Sequence, residues 1–209
     1  SSTGIHVERS CPGVSRLVDK HSMKTCLKAP KSMPNNGSAQ KKEWDIRPVA
    51  DTVFELQAVS QLILAAFVEF IAADYTTEGV AEIQDYVRPS ELRKRIVAGK
   101  CFILIAVRHG RPVGMIEVED YRHLTLLFVD KECHGQGIAR ALVESAIVRC
   151  CSRYPKSAAV TLTVHASRYA VPFYKRLGFV PRGSEVVENG RIFQPMARPL
   201  SPSVPTDRG

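Results

Sequence analysis

The sequence lacks the marks of several protein classes. Its six cysteines form no CxxC pair and stand at no metal-like spacing from its six histidines, so no zinc fold or thioredoxin-type motif is written in it. Adjacent Cys150 and Cys151 point to different sides of a helix and make poor partners for a bridge. Free thiols fit a reducing cytoplasm. The longest apolar-looking run, residues 62–73, is broken by Glu69 and is too short to span a bilayer. The first residues, SSTGIHVERS, have no basic region followed by an apolar run, so no secretory signal is visible. Membrane and secreted classes are disfavoured, and no internal repeat is present.

What the chain does have is a globular composition, 44% hydrophobic and 24% charged. Its formal net charge is +8, but the charge is unevenly spread. Residues 1–43 carry eight Lys or Arg against three acids, and the rest of the chain is nearly balanced. That leader contains Pro12, Pro30, Pro34 and the run MPNNGS with no sustained apolar period. It reads as a disordered basic leader, better explained as a solvated tail than as a nucleic-acid arm. Proline-rich residues 201–209 read as a flexible tail, which leaves one folded domain over 44–200.

Periodicity organises that domain. WDIRPVA reads as a first strand, with Asp51 as N-cap of a helix running to about Ala73. A second helix is expected over 77–86, and Pro89 opens a third that Gly99 stops. CFILIAVRHGRPVGMIEVED then reads as a hairpin about His109-Gly110, and LTLLFVD as a strand buried on both faces. A loop and helix, HGQGIARALVESAIVRCCSRY, precede the strand AAVTLTV. The short helix of SRYAVPFYKRLGF ends at Gly178, and two strands flank Asn189-Gly190. Helices come first, then strands with interleaved helices. The expected fold class is α+β, a mixed and mostly antiparallel sheet with flanking helices.

One loop carries chemistry. His134-Gly135-Gln136-Gly137-Ile138-Ala139-Arg140 sets two glycines between a buried strand and a helix, which is a backbone-amide cradle for an anion. It is neither a Walker loop nor a dinucleotide fingerprint, because GxxxxGK[ST] and GxGxxG are both absent. Alone it is equally a tight strand-to-helix turn. Thirty-odd residues on comes HASRYAVPFYKRLGF. Together, LLFVDKECHGQGIARALVE and HASRYAVPFYKRLGF resemble the GNAT superfamily of acetyl-coenzyme A-dependent N-acetyltransferases, over about residues 44–200. The family's loop usually reads Arg/Gln-x-x-Gly-x-Gly/Ala, with His134 here replacing the first residue.

The resemblance implies a GNAT-like acyltransferase fold, an acetyl-CoA cosubstrate with no metal, and a small-molecule amine as acceptor. Leu127, Phe128 and Val129 would offer backbone groups to the pantetheine amides, and Gln136 to Arg140 would wrap the pyrophosphate. Ser167 would wall the far side of a slot between two splayed strands. His165 stands where the family commonly has Asn. Tyr174 matches the tyrosine that protonates the departing thiolate, a role that suits a phenol protonated at neutral pH. The alternative is a non-catalytic module on the same fold, sensing coenzyme A or docking a partner protein. A homodimer stays open.

The amine must also lose a proton. Glu117, Glu119, Asp120 and His123 lie on strands beside the expected slot, and Glu117 and His123 lead as base candidates. Strand alternation places Glu117 and Glu119 on one face. Cys133 precedes the cradle with no dedicated base in view, so it reads as structural. Between Glu69 and Glu91, six acids (Glu69, Asp74, Glu78, Glu82, Asp85, Glu91) face only Arg88. Such a rim would attract a polyamine or an aminoglycoside, although solvated helix faces look the same in sequence.

Overall fold

A computed structural model describes residues 43–154, 160–188 and 191–200. The expectations for residues 1–42, for the Asn189-Gly190 turn and for the tail 201–209 lie outside these residues.

Chain order is β1 (Asp45–Pro48), α1 (Val53–Phe70), α2 (Thr77–Tyr86), α3 (Pro89–Val97), β2 (Cys101–Arg108), β3 (Arg111–Glu119), β4 (His123–Val129), α4 (Ile138–Arg153), β5 (Val160–Ala166), α5 (Val171–Arg176), β6 (Val180–Pro181), β7 (Val186–Glu188) and β8 (Arg191–Leu200). The sheet runs β1-β2-β3-β4-β5-β8-β6, with β7 also on β8. Every pairing is antiparallel except β4 with β5. This mixed sheet with flanking helices is the expected class.

Local chemistry explains the elements and two shifted boundaries. Helix α1 starts one residue later than expected: Thr52 caps it by accepting from the Glu55 amide at 3.3 Å, a cap worth about 1 kcal/mol. Asp51 instead takes the Arg93 guanidinium, with Nε at 2.7 Å from Oδ1. The helix ends at Phe70, and residues 72–74 tighten into a 3₁₀ turn rather than continuing it. Leu56, Val59, Ile63 and Phe67 form its buried stripe against Ile105, Met115 and Leu126 on one face of the sheet. Each contributes about 1.5–3 kcal/mol by leaving water. Helix α4 packs on the other face, where Ile138, Leu142 and Ala146 meet Ile116, Val118 and Leu162. Gly114 on β3 makes that approach close, since a Cβ there would sit 2.9 Å from the Ile138 Cγ2. The His109-Gly110 turn holds both residues at positive φ, 50° and 77°. Strand β6, two residues long, is too short to have left a period in the sequence.

The pairing of β4 with β5 positions the site. Their register covers only His123↔Thr163 and Leu124↔Val164. Beyond Leu124, β4 stays paired to β3 through Val129, whereas β5 pairs with β8 through Ala166. The two parallel strands therefore splay apart toward the α4 loop.

Candidate active site

The splay opens a slot with about 180 Å³ of accessible volume. Strand β4 forms one wall from His123 to Phe128, and Val164 to Ser167 form the other. Helix α2 contributes Glu82 and Tyr86, α5 contributes Tyr174, and β8 contributes Arg191 and Phe193. The slot thus gathers Leu127, Phe128, His123, Ser167 and Tyr174 from the sequence-derived candidates; Glu117, Val129 and the residues from His134 to Arg140 do not line it.

The cradle stands at one end. Gly135 and Gly137 have φ of 76° and 79°, the left-handed region that costs an L side chain strain. Gly137 caps α4, and no acid occupies that helix's first turn, which leaves the positive end of its dipole uncompensated. Side chains around the loop are already engaged. His134 approaches the Val129 carbonyl with Nε2 at 3.0 Å and stacks on Phe70, with ring centroids 4.9 Å apart. Phe70 in turn stacks on Tyr169 at 5.4 Å, so three rings reach from the cradle to the loop before α5. Gln136 Nε2 donates to the Glu132 carbonyl at 3.2 Å, and Arg140 pairs with Glu144 at 2.8 Å on the outer face of α4. Cys133 is buried in the apolar core, as a structural thiol would be.

Three atoms of slot-lining residues want partners. Thr125 Oγ1, Ser167 Oγ and Arg191 Nε are buried and have no hydrogen-bond partner among the described residues, although their residues line the slot. Leaving buried hydroxyls unpaired costs about 1–3 kcal/mol each. A ligand with amide groups, running along the free edge of β4, would satisfy them. That is the chemistry of a pantetheine arm, and the donor set fits it. Among the described residues no group of three His, Cys, Asp or Glu could hold a metal ion.

Tyr174 is buried against Phe173 and Phe179, each ring 5.3 Å away. Burial pushes its phenol pKa well up, so the hydroxyl keeps its proton.

The two leading base candidates have opposite surroundings. Glu117 is fully buried under α2 and α3. Arg95 donates to it from Nε at 3.0 Å and from Nη2 at 3.1 Å, and the Tyr86 hydroxyl donates at 3.1 Å. Both carboxylate oxygens are occupied. Glu119, two residues on, is half-buried near the strand end, and a register shift between Glu117 and Val118 separates them. Asp120 lies in the turn after β3, at φ 48°.

His123 faces the slot. The Thr163 hydroxyl donates to the Arg122 carbonyl at 3.2 Å, so its oxygen accepts from His123 Nδ1–H at 2.8 Å. That assigns the tautomer: Nδ1 carries the proton and Nε2 keeps its lone pair. Burial, then the neighbouring His165, push the His123 pKa down to about 4. The ring is neutral throughout the physiological range. His165 lies edge-on to it at 4.8 Å and stacks on Phe193 at 4.1 Å, and burial followed by Arg191 lowers its pKa as well.

The acidic rim divides on inspection. Glu69 pairs with Lys131, Asp85 with Arg88 at 2.6 Å, and Glu91 with Lys94 at 3.4 Å. Of the six acids, Glu82 lines the slot. Sequence reading missed Thr163, Tyr86, Arg95 and Arg191. A signal existed for two of them: Thr163 alternates with His165 on β5, and Tyr86 stands one helical turn after Glu82.

Comparison with known proteins agrees with this geometry. The family described as an acetyltransferase (GNAT) domain matches residues 71–200. The peptidyl-lysine N-acetyltransferase YjaB of Escherichia coli K12 is 30% identical over 143 residues, 66% of this chain and 84% of that protein. A GCN5-related N-acetyltransferase structure from Rhodopseudomonas palustris superimposes with TM-score 0.61 and 23% identity, covering 75% of this chain and 95% of that one. The PaiA N-acetyltransferase of Thermoplasma acidophilum, solved in complex with coenzyme A, gives 0.62 and 17%, covering 75% and 98%.

Proposed function

Because this chain belongs to the GNAT acetyltransferase family, we propose that it transfers the acetyl group of acetyl-coenzyme A to a primary amine carried on an aliphatic stem, a lysine side chain foremost. The observation that carries the reading is the β4–β5 splay, flanked by a two-glycine helix start and lined by a protonated tyrosine.

Acetyl-coenzyme A supplies, when bound, an acetyl group already activated as a thioester. The free edge of β4 at Leu127 and Phe128, with the Thr125 and Ser167 hydroxyls, would hold the amide-bearing arm. The amides of residues 135–140 would face the pyrophosphate. Tyr174 would give its proton to the sulfur as the thioester's carbon–sulfur bond breaks and a carbon–nitrogen bond forms, and would regain a proton from solvent as the thiol product leaves. His123 receives the amine proton at Nε2 and releases it to solvent past the exposed His165. The imidazole is unprotonated, with a lone pair to offer, at any physiological pH, and its lowered pKa makes it a weak base that passes the proton on rather than holding it.

The acceptor class follows from charge. With Glu69, Asp85 and Glu91 paired, Glu82 supplies the slot's carboxylate. With Arg191 also lining the slot, one carboxylate beside one guanidinium suits a single ammonium better than a polyamine or aminoglycoside. YjaB, named as a peptidyl-lysine N-acetyltransferase, supports the same choice. The test sets lysine-containing peptides beside spermidine and an aminoglycoside, with acetyl transfer read by mass spectrometry. Peptide acetylation at the highest kcat/KM is expected, and preference for a polycation would overturn the lysine assignment. Tyr174→Phe should lower kcat about a hundredfold with acetyl-coenzyme A affinity unchanged.

A further inference from the structure

Burying a carboxylate with a guanidinium is costly, and apolar residues of the same volume often pack as well. The Glu117–Arg95 pair is buried to 0% and 14% side-chain exposure, so what it holds in place matters. It holds Tyr86 at three points. The Tyr86 hydroxyl donates to Glu117 Oε1 at 3.1 Å, the Arg95 guanidinium carbon lies 3.7 Å from the ring centroid, and Arg95 Nη1 donates to the Tyr86 carbonyl at 2.8 Å. The phenol cannot rotate without breaking a charge-assisted bond.

This clamp sets a polarity. The only hydrogen on the Tyr86 hydroxyl is spent on Glu117, so the oxygen has only lone pairs left to offer. Burial and the Glu117 carboxylate both raise the Tyr86 pKa, which keeps that hydrogen in place. Glu82 stands four residues earlier on α2, on the same helical face, and both residues line the slot. Together they present acceptors and no donor.

We propose that Tyr86 is a specificity residue for the acceptor: its hydroxyl oxygen receives an N–H of an alkylammonium group, and Glu117 and Arg95 are positioning residues that act through it. This rests on the reading of the slot as the site of a primary amine. Glu117 is on this view not the base. It lies behind Tyr86, does not line the slot, and already accepts two bonds from Arg95 and one from Tyr86. Its work is to decide which way the phenol points.

Tyr86→Phe tests this in the full chain, since it keeps the ring under Arg95 and removes only the oxygen. The probe is a lysine-containing peptide titrated by calorimetry onto protein saturated with desulfo-coenzyme A, an unreactive analogue. The variant should bind the peptide about tenfold more weakly, the loss of one hydrogen bond to a charged group. Its acetyl-coenzyme A affinity should match wild type, and the kinetic effect should fall on the amine KM rather than on kcat. Glu117→Gln supplies a readout that a merely structural role would not move. Its carbonyl takes the Oε1 position, which accepts from both Tyr86 and Arg95 Nε, so the hydroxyl hydrogen stays turned from the slot and peptide affinity should stay near wild type, whereas Glu117→Leu removes that acceptor, frees the hydroxyl hydrogen and should lower peptide affinity with Tyr86 intact. Equal peptide binding by wild type and Tyr86→Phe overturns the proposal, as does an equal loss of acetyl-coenzyme A affinity. The titration reads binding without turnover. A wild type that binds the peptide and acetylates nothing therefore overturns the acceptor assigned above, while the Tyr86 comparison still decides this one.

Discussion

On the α2–α3 side of the slot a carboxylate, Glu117, is buried together with its counter-charge; on the β5 side an imidazole, His123, is half-buried with none. The first cluster is saturated: Arg95 and Tyr86 occupy both oxygens, and moving a proton there would unmake an ion pair. The second is neutral and one bond short of full, with Nδ1 tied to Thr163 and Nε2 open. A group held by a full charge is good for fixing geometry. A group held neutral, with one free lone pair, is good for handling a proton. The two candidates that looked alike in sequence are separated by what buries them.

Breaking the first cluster should have the largest effect. Arg95→Leu strands the Glu117 carboxylate and should destabilise the fold by about 3–5 kcal/mol, read as a shift in the urea midpoint. Breaking the second should spare the fold and cost the reaction. His123→Ala should reduce kcat on the best amine about a hundredfold, with the unfolding midpoint equal to wild type or higher. Should the two variants exchange phenotypes, the contrast between the clusters is wrong.

Acid sharpens the contrast. The folded His123 titrates near 4 against 6.5 when free, so between these values the unfolded chain binds the proton and the folded chain does not. His123 therefore adds a term to unfolding free energy that falls as pH drops from about 6.5 to about 4, and is level on either side. Urea titrations across that range should show this limb in wild type, flattened in His123→Ala. The smallest effect belongs to Thr163→Val, which leaves Nδ1–H without its acceptor. A rate loss of about tenfold or less is expected, near 1 kcal/mol, and ¹⁵N NMR of the ring should report loss of the single tautomer.

Local pattern made much of this legible. The glycine pair, the helix it opens, the strand LTLLFVD and the helix bearing Tyr174 are each written within a few consecutive residues, and the structure brings the strand and Tyr174 to one slot. The errors lie where a distant segment decides. Asp51 looked like the cap of α1, but Arg93, forty-two residues away, holds it and Thr52 caps instead. Alternation put Glu117 on the correct strand, yet could not say that α2 and α3 close over it. The pairing of His123 with Thr163 depends on the register of a parallel ladder, which no local period encodes. Within the acidic rim, Asp85 and Glu91 meet bases three residues away, and Glu69 is the one whose partner is distant. Lys131 lies sixty-two residues from the Glu69 it meets.

The two-position ladder between β4 and β5 has a consequence for the protein's lifetime. Backbone hydrogen bonds sew the sheet into two leaves, β1–β4 and β5–β8, joined by a short seam. An acyl donor bound in the slot, as proposed above, would touch both leaves and extend that seam without adding a residue. Its binding energy is then folding energy by mass action: a donor at a hundred times its dissociation constant contributes about 2.7 kcal/mol against unfolding. Starved of donor, the same chain opens more often and is degraded sooner. On the proposed reading, a coenzyme in the slot would serve the chain's stability as well as its chemistry.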